Sequence, residues 1–286
     1  MAHPLTFGVV IEPQYWDWAS NVELWKEAEA LGFESIWLDD HFYPVGDSND
    51  REGFEASTTL AALALTTTKP KIGVLTYGNT HRNPAILYKE MVTVDHMSGG
   101  GRLIFGIGAG WNEPEHRAYG IQFPSAGDRV AMLDEALDLI HEFEKNDRTT
   151  FHGRYYSAED APFVPKPVNG HIPLLIGGKR PKMLRVIAKH ADYWDSGLEA
   201  DELKIALQTI RQHAAELGRD PDSITASTPV WRHQMSDREF ADRVRAFYAA
   251  GVRQMLIQHP GDRKGIETIP GLMEHVVPEL RAELEG

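Results

Sequence analysis

The chain contains no cysteine among its 286 residues. This absence excludes disulfide bonds, thiolate catalysis and metal sites built on cysteine. Long apolar runs are also missing, and the opening segment, MAHPLTFGVVIEP, has no basic region ahead of a hydrophobic one. The sequence therefore predicts neither a secretory signal peptide nor a membrane-spanning helix, and a cytoplasmic protein is the expectation.

Blocks of basic residues are absent as well. The formal net charge is −13, and lysine and arginine are not collected into one segment. Neither a nucleic acid nor a membrane is therefore expected as the main partner. An anionic small molecule remains compatible with this charge, because a binding site needs only local positive charge. We expect a small-molecule substrate and a homodimer.

Short β-rich apolar runs alternate with helical patterns along the whole chain. The eight runs, in chain order, are LTFGVVI, SIWLDD, KIGVLTY, RLIFGIG, PLLIGG, DYWDSG, TASTPVW and RQMLIQH. Most are continuously apolar, as parallel strands covered on both faces are. The pattern predicts an α/β fold, a (β/α)8 TIM barrel forming a single domain over residues 1–286. An open doubly wound sheet is the alternative.

Several helix starts can be predicted from capping residues. Ser20 with Glu23, and Ser236 with Glu239, have the spacing of a capping box. Asn83 precedes a proline, which is the usual order of an N-cap and the first helical residue.

Residues 146–172 interrupt the strand–helix rhythm. TTFHGRYY alternates as a strand does, and several prolines follow it. We interpret this segment as an insertion lying over the barrel mouth.

Polar and glycine residues follow the predicted strands, where a TIM barrel has its active site. The most notable stretch is GIGAGWNEPEH, from Gly106 to His116, which leaves a strand through glycines and then presents acidic, basic and aromatic groups. Each group also has a purely structural interpretation. Asp40 could cap a helix, and Glu113 and Glu115 could be first-turn acids that complement a helix dipole.

The stretch IGGKRPKMLRVIA places two glycines between a strand and a helix. Free backbone N–H groups and the helix dipole make such a junction an anion site, and Lys179 and Arg180 add positive charge. A cofactor phosphate is the expected guest. A glycine-rich turn with solvated basic residues is the alternative.

A metal site is a competing use of the residues at the strand ends. Its ligands would be Asp39, Asp40, His41, His116 and His259. The first strand supplies Glu12 but no His-x-His pair, and the chain has no H-E-x-x-H motif. We therefore predict no metal and do not favour a metal-dependent hydrolase.

At this point the sequence resembles the bacterial luciferase-like monooxygenase superfamily, and most closely its F420-dependent oxidoreductase branch. The resemblance covers nearly the whole chain. It is carried by LGFESIWLDDHFYP, by the segment from GVLTYGNTH to HRAYGIQFP, by EDAPFVPKPV and by IGGKRPKMLRVIAKHADYW. It implies a (β/α)8 barrel that holds a flavin or deazaflavin in its mouth.

The resemblance also implies roles for particular residues. It places Asp40 and His41 beside the reactive edge of the cofactor, a non-proline cis peptide at Gly73–Val74, and Gly177 and Gly178 near a phosphate. The expected catalytic residues are His41 and Glu113. The expected cofactor-binding residues are Asp40, Gly73, Val74, Thr76, Asn79, Gly108, Ala109, Gly110, Trp111, His116, Gly177, Gly178, Lys179 and Arg180. The expected substrate-binding residues are Gln14, Trp16, Tyr43, Trp231 and His259.

One departure from the family pattern bears on the substrate. F420-dependent sugar-phosphate dehydrogenases of this superfamily have a glutamate where this chain has Trp111, and their set of basic residues for a substrate phosphate is incomplete here. We therefore expect hydride transfer between coenzyme F420 and a small organic substrate other than a sugar phosphate. The alternatives are an FMN-dependent monooxygenase that uses reduced flavin and oxygen, and a non-catalytic flavin- or F420-binding protein.

Overall fold

A computed structural model describes residues 3–45, 52–232, 235–258 and 269–286. Its centre is a closed parallel β-barrel with helices packed around it. The strands are β1 (Thr6–Val10), β2 (Ser35–Leu38), β3 (Lys71–Val74), β4 (Tyr77–Gly78), β5 (Leu103–Gly108), β6 (Arg148–His152), β7 (Ser157–Pro162), β8 (Leu174–Gly177), β9 (Tyr193–Asp195), β10 (Thr225–Trp231) and β11 (Val252–Gln258).

The helices follow the barrel strands and cover their outer face. They are α1 (Trp18–Ala30), α2 (Ala56–Thr66), α3 (Pro84–Met97), α4 (Glu113–Ala118), α5 (Ala126–Lys145), α6 (Pro181–His190), α7 (Ala200–Glu216), α8 (Asp237–Ala250) and α9 (Val277–Glu285). A helical turn (Ile269–Gly271) and a π-helical turn (Leu272–Val276) precede α9. None of the helices within the described ranges is long and apolar enough to cross a membrane.

The barrel has eight strand positions, in the order β1, β2, β3 with β4, β5, β8, β9, β10, β11 and back to β1. β3 and β4 share one position, because Ile72 pairs with Leu103 at the start of β5 and Tyr77 pairs with Ile107 near its end. Each of the eight predicted apolar runs supplies one position. The predicted (β/α)8 TIM barrel is confirmed.

The break between β3 and β4 corrects one prediction. The non-proline cis peptide joins Leu75 and Thr76, not Gly73 and Val74. Gly73 lies within the regular part of β3, where an added Cβ would come within 2.6 Å of the Ile104 carbonyl oxygen and of the Trp37 ring. The strand is regular through Val74. The cis peptide follows it, in the break before the chain pairs with β5 again at Tyr77.

Two of the three predicted helix starts are confirmed. The Asn83 side chain accepts from the N–H groups of α3, and Ser236 and Glu239 form a complete capping box at α8. The predicted box at Ser20 is wrong, since α1 already begins at Trp18 and Asp17 accepts from the Ser20 N–H. An aspartate caps as well as a serine, and here it stands three residues earlier.

The insertion is an antiparallel hairpin, β6 with β7, followed by extended chain. Tyr156 accepts a hydrogen bond from Asn79 at the barrel mouth, and farther along the Lys166 carbonyl meets His96 near the end of α3. The segment therefore runs down the outside of the barrel. Its predicted position over the mouth is wrong: Phe163 is buried against Tyr88 and Phe143, and this apolar contact holds the segment against α3 and α5.

The barrel interior has its own small apolar core. Five buried side chains from strands around the barrel contact one another there: Val10, Trp37, Ile104, Leu175 and Leu256. Residues from strands on opposite sides can meet only through the lumen. This layer fills the barrel interior below the C-terminal ends of the strands, where the loops that follow the strands begin.

Candidate active site

A cavity of about 610 Å³ opens at the C-terminal ends of β2, β4, β5, β8 and β9. It brings together many of the residues predicted from the sequence. These are Asp40, His41, Thr76, Gly108, Ala109, Gly110, Trp111, Gly177, Gly178, Lys179 and Arg180. The volume lies within the range of ordinary cofactor and ligand pockets.

Glycines make one wall of this cavity flat. A Cβ at Gly108 would come within 2.8 Å of the Thr76 hydroxyl oxygen, and one at Gly177 would come within 3.4 Å of the Thr76 methyl carbon. Gly110 and Gly178 have φ angles of +78° and +145°, which side chains rarely adopt. A planar group can therefore approach the backbone closely here.

Asp40 organises the loop after β4. Its buried carboxylate accepts hydrogen bonds from the Gly78 N–H at 3.0 Å, from His81 Nδ1 at 2.8 Å and from Arg82 Nη1 at 2.9 Å. Burial alone would raise the pKa of the Asp40 carboxyl, but the hydrogen bond from His81 and the charge of Arg82 outweigh burial and hold the pKa below its usual range. Asp40 is therefore an ionised anchor.

The same contacts engage two side chains that follow β4, His81 and Arg82. Arg82 bridges Asp40 and Glu55, and His81 donates to Asp40. A buried carboxylate requires paired charge, so these side chains turn inward.

His41 is held by a carboxylate that the sequence did not single out as catalytic. His41 Nδ1 lies 2.9 Å from Glu115 Oε2, and the Glu115 side chain is fully buried. Burial acts to lower the pKa of the His41 imidazole, but the hydrogen bond to Glu115 and the nearby Asp39 carboxyl raise it above its ordinary value. Nε2 has no hydrogen-bond partner among the described residues and can exchange a proton.

Glu113, the predicted catalytic carboxylate, lies outside the cavity lining. Its side chain is 57% exposed and pairs with Arg117 at 2.9 Å, one helical turn away. Two residues later along α4 the direction has turned by about 200°, so Glu115 faces the barrel. The Glu113–Arg117 spacing could have marked the solvent face and thus pointed to Glu115.

Four predicted cofactor contacts lie behind the cavity wall. Gly73 and Val74 are part of β3, and Asn79 donates to Tyr156. His116 is fully buried between the Asn112 carbonyl and the Thr80 hydroxyl, each 2.7 Å from one ring nitrogen. Nδ1 donates to the carbonyl, and burial lowers the pKa of His116, which favours the neutral ring. In that form Nε2 accepts from Thr80, and His116 supports the loop.

The predicted substrate residues are placed differently from one another. Gln14 is buried and donates to the His41 carbonyl at 2.8 Å, while Trp16 is buried beside α1. Tyr43 stacks on Tyr119, and Trp231 is 44% exposed at the end of β10. None of these side chains is part of the described cavity lining. His259 lies outside the described residues.

A second pair of acids lies behind His41, at the ends of β1 and β2. Burial and the proximity of Asp39 raise the pKa of Glu12 to about 8. Burial likewise raises the pKa of Asp39 to about 6, against the lowering effect of His41. The sequence places both residues at strand ends. It does not predict their raised pKa values, which depend on how deeply the two carboxyl groups are buried.

Basic side chains follow β8 on the other side of the cavity. Lys179 and Arg180 line the cavity, and Lys182 lies in the first turn of α6. All three are exposed, and none forms an ion pair with another described residue. α6 begins at Pro181 without a side-chain cap, so its first N–H groups are free toward the cavity. Free N–H groups, the helix dipole and these cations together suit an anionic group.

Several curated proteins align with nearly the whole chain. An F420-dependent glucose-6-phosphate dehydrogenase from Nakamurella multipartita is 28% identical, over 98% of this chain and 81% of that protein. A 5,10-methylenetetrahydromethanopterin reductase from Archaeoglobus fulgidus is 27% identical, over 90% of this chain and 74% of that protein.

The fold also matches solved structures. An F420-dependent secondary alcohol dehydrogenase in complex with an F420–acetone adduct superposes with a TM-score of 0.88 over 97% of this chain and 99% of that one, at 20% identity. A sequence model of the luciferase-like monooxygenase family matches residues 5–275. The chain therefore belongs to the luciferase-like monooxygenase family.

Proposed function

We propose that this protein is an F420-dependent oxidoreductase that transfers a hydride between coenzyme F420 and a small organic substrate. One observation carries the proposal. A single cavity joins a carboxylate-held histidine on one side to a glycine-lined wall on the other, where Lys179 and Arg180 form no ion pair with any other described residue. An F420-dependent relative that aligns along nearly the whole chain supports the same cofactor.

The cavity fits the parts of this cofactor. The wall formed by Gly108, Gly177 and Thr76 would accept a flat ring system, because the two glycines have no side chain and the space beside them is taken up by Thr76. Gly178 and the start of α6 would hold the phosphate. Lys179, Arg180 and Lys182 would face the anionic tail that continues beyond it.

When bound, F420 supplies a deazaflavin ring that accepts or donates a hydride, while the protein supplies position and charge. His41 holds the proton that accompanies the hydride at Nε2, because Nδ1 is engaged by Glu115. Glu115 orients the ring and stabilises its charged form. We therefore assign to Glu115 the role of the catalytic carboxylate, which the sequence suggested for Glu113. The Trp111 ring lies 5.6 Å from that of His41 and provides an apolar surface beside it.

Spectroscopy of the purified protein tests the proposal directly. The protein is mixed with F420 and a panel of small alcohols, or with reduced F420 and carbonyl compounds, and the deazaflavin absorbance is followed. Loss or recovery of that absorbance is the expected result. Oxygen consumption with reduced FMN, and no reaction with F420, would support the monooxygenase instead. Tight F420 binding without any turnover would indicate a carrier.

The sequence also suggested a homodimer in the cytoplasm, and these stay predictions. Sedimentation of the purified chain measures the first, and fractionation of the source cells measures the second.

A further inference from the structure

A further carboxyl group borders the cavity, at the end of β9. Asp195 is part of the cavity lining, together with Ser196 and Gly197. Among the eight strand positions, β2 and β9 lie opposite each other, with three positions between them on either side. Asp195 therefore faces the cavity from the side opposite His41, which follows β2, and the proton transfer assigned to His41 does not involve it.

The Asp195 carboxylate is held at one oxygen and free at the other. Oδ1 accepts a hydrogen bond at 2.8 Å from the hydroxyl of Ser227, which is fully buried. Oδ2 has no hydrogen-bond donor in the described part of the chain, and protein does not fully enclose it. Burial raises the pKa of the Asp195 carboxyl to about 6, against the lowering effect of Ser227, so the group is largely ionised at neutral pH. An ionised carboxylate accepts hydrogen bonds and donates none.

Asp195 lies beside the proposed phosphate site. It pairs in register with Gly177 of β8, and its carbonyl oxygen accepts from the Gly178 N–H at 3.1 Å. These two glycines lead into α6, whose first N–H groups suit an anion. The part of a bound cofactor that passes Asp195 is therefore the part next to its phosphate, whereas the substrate would react on the far side of the cavity, beside His41.

The charge of Asp195 decides which chemical group can contact it. A carboxylate repels a phosphate, so the phosphate would lie toward the N–H groups of α6 and not against Oδ2. The group that contacts Oδ2 must instead donate hydrogen bonds. In F420 the ring and the phosphate are joined by a ribityl chain, and the hydroxyl groups of that chain are such donors.

From this arrangement we infer that Asp195 binds the ribityl hydroxyl groups of F420 through Oδ2, while Ser227 holds Oδ1 in place. The inference rests on the proposed function, since it concerns the same cofactor. Acidic side chains bind ribose hydroxyl groups in a comparable way in dinucleotide-binding folds. The contact fixes the middle of the cofactor, between a ring at the glycine wall and a phosphate at the start of α6.

Two deazaflavins that differ only in these hydroxyl groups provide the test. One is 5-deazariboflavin 5′-phosphate, and the other has an unsubstituted pentyl chain between the same ring and phosphate. Fluorescence titration measures the Kd of each. Asp195→Ala should weaken binding of the ribityl compound by about tenfold, as expected for a lost hydrogen bond to a charged group, and binding of the pentyl compound by less than about twofold. Equal weakening of both would show that Asp195 acts only through the fold, and would overturn the inference.

A variant of nearly the same shape controls for a loss of folding. Asp195→Asn keeps an oxygen that can accept from Ser227 but removes the charge. It should weaken binding of the ribityl compound, relative to the pentyl compound, by at least about threefold, and an unchanged ratio would contradict the assignment. Asp147→Ala removes an exposed acid outside the cavity and should leave both Kd values unchanged.

Titration with F420 itself separates this inference from the proposed function. We expect Asp195→Ala to raise the Kd for F420 by about tenfold, as for the ribityl compound. Binding of F420 with the same Kd in the variant and the unmodified protein would reject the role of Asp195 alone. Failure of F420 to bind the unmodified protein would reject the proposed function, and this inference with it.

Discussion

At the scale of single residues, the account depends on how His41 is held. One imidazole nitrogen is bonded to a fully buried carboxylate, so the orientation and charge of the ring are both set by Glu115. The other nitrogen is left to exchange protons. Such an arrangement makes a histidine a usable acid or base near neutral pH.

Removal of the His41 ring should separate turnover from cofactor binding. We expect His41→Ala to lower kcat by about 10²–10⁴-fold, the usual contribution of a general acid or base, while the Kd for F420 stays within a few-fold. Steady-state kinetics and F420 titration measure the two quantities. His152→Ala, which removes an exposed histidine on the hairpin, is the control. Unchanged turnover would show that His41 is not the proton-transfer group.

The role of Glu115 can be tested through pH dependence. Glu115 raises the pKa of His41, so Glu115→Gln should lower that pKa and move the corresponding limb of the kcat/KM profile to lower pH. Glu113→Gln removes an exposed acid of the same helix and should leave the limb in place. A shift to higher pH, or equal shifts in both variants, would be inconsistent with the His41–Glu115 contact.

Part of the arrangement of the candidate site could be predicted, because strand ends determine which residues meet at the barrel mouth. Asp40, His41 and the glycines after β5 and β8 line the cavity for this reason, and their roles stay predictions. Glu115 was passed over for Glu113, since both follow the same strand and only the turn of α4 decides which one faces inward. The raised pKa values of Glu12 and Asp39 depend on burial depth, which the sequence does not contain.

At the scale of elements, the junction between β8 and α6 is the part most closely tied to cofactor binding. Gly178 has a φ of +145°, and a Cβ there would lie 3.2 Å from the Met183 side chain, which lines the cavity. A side chain would both strain the backbone and push into the cavity wall.

We therefore expect Gly178→Ala to weaken F420 binding by about tenfold, or about 1.4 kcal/mol. Gly218→Ala is a matched control, because Gly218 also has a positive φ, of +74°, but lies at the end of α7 with no atom near its Cβ position. The control should lower the free energy of unfolding by about 1 kcal/mol and leave F420 binding unchanged. Equal affinities for F420 would place the phosphate elsewhere.

The elements themselves were largely predictable, because each barrel strand is a short apolar run bounded by turn residues. The start of α1 was misplaced because Asp17 and Ser20 are both good caps and local sequence cannot rank them. The hairpin was found by its alternation, but its position against α3 and α5 depends on packing of Phe163.

At the scale of the whole molecule, a network of charged side chains stabilises the N-terminal end of the barrel, opposite the cavity. His171 contacts Asp192 and Glu144 at 3.0 Å each, and Tyr88 donates to Glu144. Hydrogen bonds to Asp192 and Glu144 raise the pKa of His171 to about 10. The network joins α5 to the starts of β8 and β9.

This network predicts a particular pH dependence of stability. Because the pKa of His171 is raised, its contribution is complete below about pH 6.5 and is lost as the pH rises through about 10. We expect His171→Gln to lower the free energy of unfolding by about 1 kcal/mol near pH 6, after allowance for its partial exposure, and by less near pH 11. Denaturant unfolding measures both values. If the loss of unfolding free energy in His171→Gln became larger as the pH rises, the ion pairs of His171 would not be its source.

The identity of the cofactor is the central claim, and one titration tests it most directly. F420 and FMN share a tricyclic ring and a ribityl phosphate, but F420 continues into a lactyl and glutamyl tail with further negative charge. Lys179, Arg180 and Lys182, which form no ion pair within the described ranges, offer that tail positive charge on a chain whose net charge is −13. Both cofactors are titrated at low and at high salt. The account predicts tighter binding of F420 at low salt and a narrower difference at high salt, because salt screens exposed charges. Tighter binding of FMN under both conditions would contradict it.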